Sequence, residues 1–292
     1  MLLLRGVVIK LFIVLFIGLQ TRPIVIKKPH LREELGMKLS AKKIIRLASS
    51  FSIGAIVLAS NAVYGADADV AAALSHPDRP NEDADQDARR MPREVLKFAG
   101  LETGMDVLEL EAGGGYYTEI LSRAVGLNGS VILQHPPGLM SFVGDGIELR
   151  TANNRLSNVE VSVTDFDALD AADNSVDIVT WIQGPHELGF TPDGNSLGDP
   201  AGAFREIARV LKPGGVLLAS DHIAPNGAGL EAGNSLHRIE ESLVTQMALE
   251  AGLSVAGTSD LLKNSDDPLS EGVFSPSIRG KTSQFISLYK KQ

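Results

Sequence analysis

The sequence predicts an α/β fold: a mostly parallel sheet with helices on both faces. Three observations predict it. From Asp106 to the C-terminus, short apolar runs of buried-strand type alternate with helix-like stretches. The first run, residues 107–110, leads at once into a glycine turn and a helix. The chain is also long enough, at 292 residues and 44% hydrophobic, for one large α/β domain without a second.

The elements follow in order. Residues 69–100 read as a helical cap over the main domain. Within it, His76-Pro-Asp-Arg-Pro80 is a loop, 81–90 is densely charged, and 93–99 is a helix with Pro92 in its first turn and Gly100 as its stop. The plain alternative for so charged a stretch is a solvated linker. A strand at 107–110 precedes a helix at 116–125, and the Asn128-Gly129 turn opens a second strand at 130–133. Third and fourth strands are expected at 159–163 and 176–181, the latter opened by Asp177. A helix at 201–211 is stopped by Lys212-Pro-Gly-Gly215 before a fifth strand at 216–220. A long helix at 236–251 closes at Gly252, and 254–257 and 284–289 supply the last two strands.

The N-terminus has a different character. Residues 37–68 have the layout of a bacterial export signal. Lys38, Lys42, Lys43 and Arg46 form a basic region, 47–59 is mostly apolar, and Ala66-Asp67-Ala68 offers a cleavage site. The apolar run is shorter than the ~20 residues of a membrane span. An amphipathic helix and an uncleaved membrane anchor are the competing readings. Residues 1–36 hold a second apolar run at 11–19 and are read as an upstream extension or an anchor. The expected location is therefore exported and periplasmic, with membrane attachment only through an uncleaved N-terminus.

Composition excludes several chemistries. The chain carries 27 Lys/Arg and 36 Asp/Glu; ten of the former and three of the latter lie in 1–68, leaving 17 against 33 and a net charge of −16. So acidic a body repels phosphate backbones, which argues against a nucleic-acid substrate. With no cysteine there is no disulfide, thiolate metal site or cysteine nucleophile. The six histidines are scattered without ligand spacing, so no metal site is expected. Asp266-Asp267 reads as a solvated turn. The sequence says nothing about oligomeric state.

The chemistry is expected at the first turn, Val-Leu-Glu-Leu-Glu-Ala-Gly-Gly-Gly-Tyr-Tyr-Thr, residues 107–118. Gly113, Gly114 and Gly115 permit positive φ and close ligand approach, and the free N–H groups of the next helix point at the same place. A tight strand–helix turn without ligand is the plain alternative. This segment resembles the first motif of class I S-adenosylmethionine-dependent methyltransferases, in which an acidic strand end precedes a G-x-G-x-G turn. Residues 204–218 resemble a second family element, a helix with a basic end, a Lys-Pro-Gly-Gly stop and an apolar strand. The stretches 90–100, 113–118 and 236–239 (Leu-His-Arg-Ile) are similar to a branch of exported methyltransferases.

The resemblance implies a Rossmann-like, seven-stranded sheet over 101–292, its last strand antiparallel, with S-adenosylmethionine as cofactor across the carboxyl edge. It implies that Gly113 and Gly115 approach the methionine part and that Glu109 supports the turn or reaches the amino group. Asp165 would accept from the adenine amine, and Phe166 would stack on the ring; a polar loop with one buried aromatic is the plain alternative. Two departures bear on this. Where the family places an acid for the ribose, this chain has Gln134, which can still donate and accept. Glu111 replaces the first glycine of the turn. Facing the cofactor carboxylate at ~5 Å it would cost roughly 3 kcal/mol at an effective dielectric near 20, more than the ~0.3–2 kcal/mol a helix N-terminus returns. Either its side chain points away, or an arginine such as Arg89, Arg90 or Arg93 neutralises it, or cofactor affinity is poor.

An activated methyl needs mainly alignment, with a base where the acceptor is a hydroxyl or protonated amine. His186 and Glu187 are the catalytic candidates, with Asp221 and His222 behind them; a polar loop or capping role is the plain alternative for each. Tyr116 and Tyr117 would line the acceptor pocket or simply pack at the helix start. A small-molecule acceptor is expected. A non-catalytic scaffold that kept the fold is the competing function. A nicotinamide-dependent dehydrogenase is a third reading, disfavoured by the Lys-Pro-Gly-Gly element and by the missing acid after strand two.

Overall fold

The computed structural model describes residues 67–292. The expected extension at 1–36 and nearly all of the expected export signal lie outside the described residues. Among those described, no helix is long and apolar enough to cross a membrane.

Seven strands form one sheet: β1 (Asp106–Leu110), β2 (Ser130–Gln134), β3 (Val159–Ser162), β4 (Val176–Ile182), β5 (Leu211–His222), β6 (Leu253–Ser259) and β7 (Gln284–Lys291). Their order is β3-β2-β1-β4-β5-β7-β6. β1 to β5 run parallel, and β7 lies antiparallel between β5 and β6, as expected. The chain works outward from β1 to β3, then returns to β4 on the other side of β1. Connections therefore diverge between β1 and β4, which opens a crevice at the carboxyl ends of these strands.

The central strands form where they do because their residues are buried on both faces, whereas β3 and β6 at the two ends of the sheet are largely exposed. In β1, Leu108 and Leu110 face a core with Val179, Trp181, Leu217 and Phe204, while Val107 faces Ile120, Leu121, Val95 and Ile178 on the opposite side. Full burial of each such side chain stabilises by about 1.5–3 kcal/mol. The first face is covered by α7 (Pro200–Val210) and α9 (Glu241–Glu250). The second is covered by α4 (Tyr116–Val125) with α1 (Val70–Leu74) and α3 (Pro92–Phe98). Short helices α5 (Met140–Val143) and α6 (Gly146–Thr151) follow β2, and α8 (Glu231–Leu236) follows β5.

Residues 69–100 are folded rather than a solvated linker. α2 (Asn81–Arg90) is clamped by two ion pairs. Arg79 donates to both oxygens of Asp87 (2.8 and 2.6 Å), and Arg150 donates to both of Asp83 (2.7 and 3.2 Å).

Three local expectations are corrected. The Lys-Pro-Gly-Gly element lies inside β5, which begins directly after α7. Leu211 already pairs with Val176, and Lys212 bridges Asp106 (3.1 Å) and Asp177 (2.8 Å) at the amino ends of β1 and β4. The helix expected at 236–251 is broken: α8 ends at Leu236, His237 has φ +52°, and α9 starts at Glu241. The cause is Arg238, a fully buried guanidinium that donates to both oxygens of Asp267 (2.8 and 3.0 Å) and to the carbonyls of Ile223 and Glu271. Asp267 is accordingly buried, not part of a solvated turn.

Candidate functional site

The turn after β1 is held from β2. Glu111 has φ +51°, and its N–H donates to Gln134 Oε1 (3.0 Å). The N–H of Ala112 donates to the Gln134 carbonyl (3.0 Å), and Gln134 Nε2 donates to the Thr164 carbonyl (2.6 Å). Both ends of the Gln134 amide are thus used inside the protein. It braces the turn against the loop after β3 rather than offering a free group to a ribose. Gly113 has φ +55° with open space where a Cβ would stand. Gly115, at φ +78°, is required for another reason: a Cβ there would lie 2.8 Å from Cγ of Arg150, whose Nε donates to the Gly114 carbonyl (3.0 Å).

A first cavity of about 230 Å³ opens over this turn. Glu109, Glu111, Gly113 and Gly114 line it with Thr180 and Gln183; Gly115 does not. Tyr116 and Tyr117 line it too, so they face this cavity and not the second one. Their hydroxyls donate to Asp87 (2.6 Å) and to the Arg90 carbonyl (3.3 Å). Glu109 is buried and accepts from the Thr118 hydroxyl. Burial pushes its carboxyl up to about 8, against the opposing Thr118 bond and the nearby Arg150 and Arg90. Arg150 is engaged with Asp83. Arg90 is different: its guanidinium lies 4.6 Å from the Tyr116 ring centre, its buried Nε has no partner, and no carboxylate pairs with it among the described residues.

Glu111 lines the first cavity, and its carboxyl packs against Gly184 and the Trp181 indole, where any Cβ on Gly184 would collide with it. None of Arg89, Arg90 and Arg93 forms an ion pair with it. Glu111 Oε2 and Trp181 Nε1 are both buried without a partner. Burial and then Glu187 hold the Glu111 carboxyl well above its ordinary range, with His186 opposing.

A second cavity, of about 400 Å³, adjoins the first; Glu111, Gly113 and Gln183 line both. Its floor holds His186 and Glu187, which follow β4, and His222, which ends β5. Asp221, fully buried, accepts from the His186 N–H (2.7 Å) and holds His186 Nδ1 at 3.0 Å from both its oxygens. His186 Nε2 then faces Glu187 Oε1 at 3.3 Å. Burial alone would lower the His186 pKa, but Asp221 and Glu187 overcome it and raise it well above 6.5. Burial lowers His237, and it lowers His222 to about 4. The walls are apolar: Leu139, Phe142, Val143, Phe190 and Phe274.

Four of the six histidines thus meet here, His135 and His237 among them. Sequence reading missed both. His135 is buried with neither ring nitrogen partnered; it stands one position beyond the end of β2 at Gln134. His237 lay hidden inside an expected helix. Asp165 and Phe166 are not brought to either cavity. Phe166 is fully buried with its ring centre 4.9 Å from that of Trp181, so core packing takes the face expected to stack on adenine. Asp165 is half-buried in the loop after β3.

Residues 108–219 match the family described as "Methyltransferase domain". Among curated proteins, the chain is similar to the ubiquinone/menaquinone biosynthesis C-methyltransferase UbiE of Hydrogenovibrio crunogenus, 32% identical over 130 residues, which are 44% of this chain and 47% of that protein. The protein of the same name from Idiomarina loihiensis is 32% identical over 142 residues, 49% and 52% of the two chains. The chain therefore spans about half the length of these curated relatives. Among solved structures, a SAM dependent methyltransferase from Aquifex aeolicus shares the fold, with a TM-score of 0.52 at 22% identity, over 73% of this chain and 99% of that one.

Proposed function

With residues 108–219 a methyltransferase domain of the class I, S-adenosylmethionine-dependent kind, we propose that the chain methylates a small, apolar acceptor bearing a polar substituent, and that it does so outside the cytosol. The observation that carries this reading is the pair of cavities that share a wall at Glu111, Gly113 and Gln183. Such a shared wall is where a methyl can pass from one ligand to another.

The residues present fit the cofactor. In the first cavity Arg90 has an unpaired guanidinium suited to a carboxylate, and Glu109 has a carboxyl suited to an ammonium. The open space at Gly113 and Gly114 leaves room for the ligand chain. The sulfonium supplies a methyl already activated toward a nucleophile, so alignment is the main task of the protein. Phe142, Phe190 and Phe274 would grip an aromatic acceptor, and His186 with Glu187 would hold its polar substituent. The quinone-pathway relatives favour such a ring. Export rests on the signal-like residues 37–68.

Calorimetry of the full chain tests this with S-adenosylmethionine, S-adenosylhomocysteine and NAD. The first two should bind, and Arg90→Ala should weaken them roughly 10- to 150-fold, the worth of a charge-assisted hydrogen bond of about 1.5–3 kcal/mol. Failure of all three ligands to bind would leave the scaffold reading in its place.

A further inference from the structure

We propose that the floor of the second cavity binds a divalent transition-metal ion of the Zn²⁺ class, through His186 Nε2, a Glu187 oxygen and a ring nitrogen of His237. One ligand atom from each of these residues lies within 4.8 Å of the others. The 3.3 Å between His186 Nε2 and Glu187 Oε1 matches the edge of a tetrahedron with bonds of ~2.0–2.1 Å. His237 supplies the third ligand atom of the group. It is half-buried, with its ring packed at 5.4 Å from that of His186 and 5.0 Å from that of Phe274.

Two further observations point to a cation. Glu187 is more than nine-tenths buried, yet its Oε2 has no partner, as expected of an oxygen kept for a ligand. Asp221 grips His186 through Nδ1, which fixes the tautomer that aims Nε2 into the cavity. A carboxylate behind a metal-binding imidazole is the usual orienting arrangement. Around the same point Glu111, Glu187 and Asp221 bring three carboxyl groups together, and no Lys or Arg pairs with any of them among the described residues.

Two imidazoles and one carboxylate suit Zn²⁺ or Fe²⁺ better than Mg²⁺ or Ca²⁺, which prefer all-oxygen sets. Three protein ligands leave a position open toward the cavity. An acceptor hydroxyl would take it, which names the substrate class as an oxygen-bearing ring; this second half rests on the methyltransferase reading. Asp221 acts through His186 and is a positioning residue.

The test is calorimetry of the tag-free, chelator-stripped full chain with Zn²⁺ alone, and in parallel with S-adenosylhomocysteine. One saturable Zn²⁺ site is expected. His237→Ala and Glu187→Gln should weaken it at least tenfold, Asp221→Asn should weaken it about 10- to 100-fold, and His76→Ala should leave it unchanged. A Co²⁺-loaded sample should show the visible absorption of a four-coordinate site, lost in His237→Ala. Absence of saturable Zn²⁺ uptake, or uptake indifferent to His237→Ala and Glu187→Gln, overturns the proposal. Zn²⁺ binding without S-adenosylhomocysteine binding would uphold the metal site and remove the methyltransferase reading; the reverse pattern would do the opposite.

Discussion

Replacing Glu109 with glutamine should free the stability of the protein from part of its pH dependence. Glu109 is buried beside the glycine turn, and burial raises its carboxyl from 4.5 to about 8. The folded value lies above the unfolded one. The contribution of the group is therefore fully present below about 4.5 and is lost as pH rises through about 8. At about 1.4 kcal/mol per unit, that span corresponds to at most about 5 kcal/mol. Glutamine carries no charge to desolvate, and its carbonyl still accepts from Thr118. Urea unfolding of both proteins at about pH 5, 7 and 9 reads the difference directly. Near pH 5 the two should be almost equal, and near pH 9 the variant should lead by roughly 3–5 kcal/mol. If the gap between the two proteins stays constant with pH, burial does not set the Glu109 titration and the reasoning fails.

Asp267→Ala should cost about 3–5 kcal/mol by urea unfolding, because it strands the fully buried Arg238. The double change Arg238→Met with Asp267→Leu should restore most of that loss, since it removes both charges. Gly115→Ala should cost at least the ~1–2 kcal/mol of a left-handed alanine and push Arg150 from its seat, read as a lower Tm.

The sheet was legible because its central parallel strands are buried on both faces and read as apolar runs, as in Ile-Val-Thr-Trp-Ile at β4. The strand ends were legible too, and they place His186, Glu187 and Asp221 at the carboxyl edge. The break after α8 was not, because the partner that buries Arg238 is Asp267, 29 residues away and met only in three dimensions. The metal-like grouping was equally hidden. His186 and His237 come from separate loops, so no ligand spacing exists along the chain. Beyond a strand end the two-residue period lapses, and nothing local says that Phe166 turns into the core.

Glu111 and Gln134, the two departures from the family pattern, are one physical change. A non-glycine residue at φ +51° costs about 1–2 kcal/mol unless its surroundings hold it. Here the Gln134 amide supplies the hold, accepting from the Glu111 N–H while donating to the Thr164 carbonyl. An acid at position 134 could accept but not donate when ionised, and it would add a carboxylate beside a cluster that already holds Glu111, Glu187 and Asp221. A neutral amide at 134 therefore lets an acidic residue stand at 111. The Glu111 carboxyl packs against Gly184, and because burial favours the neutral form, the roughly 3 kcal/mol repulsion of an ionised Glu111 at a cofactor carboxylate is reduced. There burial and Glu187 favour its neutral acid form, so Glu111 sits among Glu187, Asp221 and His186 as a carboxyl group held well above its ordinary range.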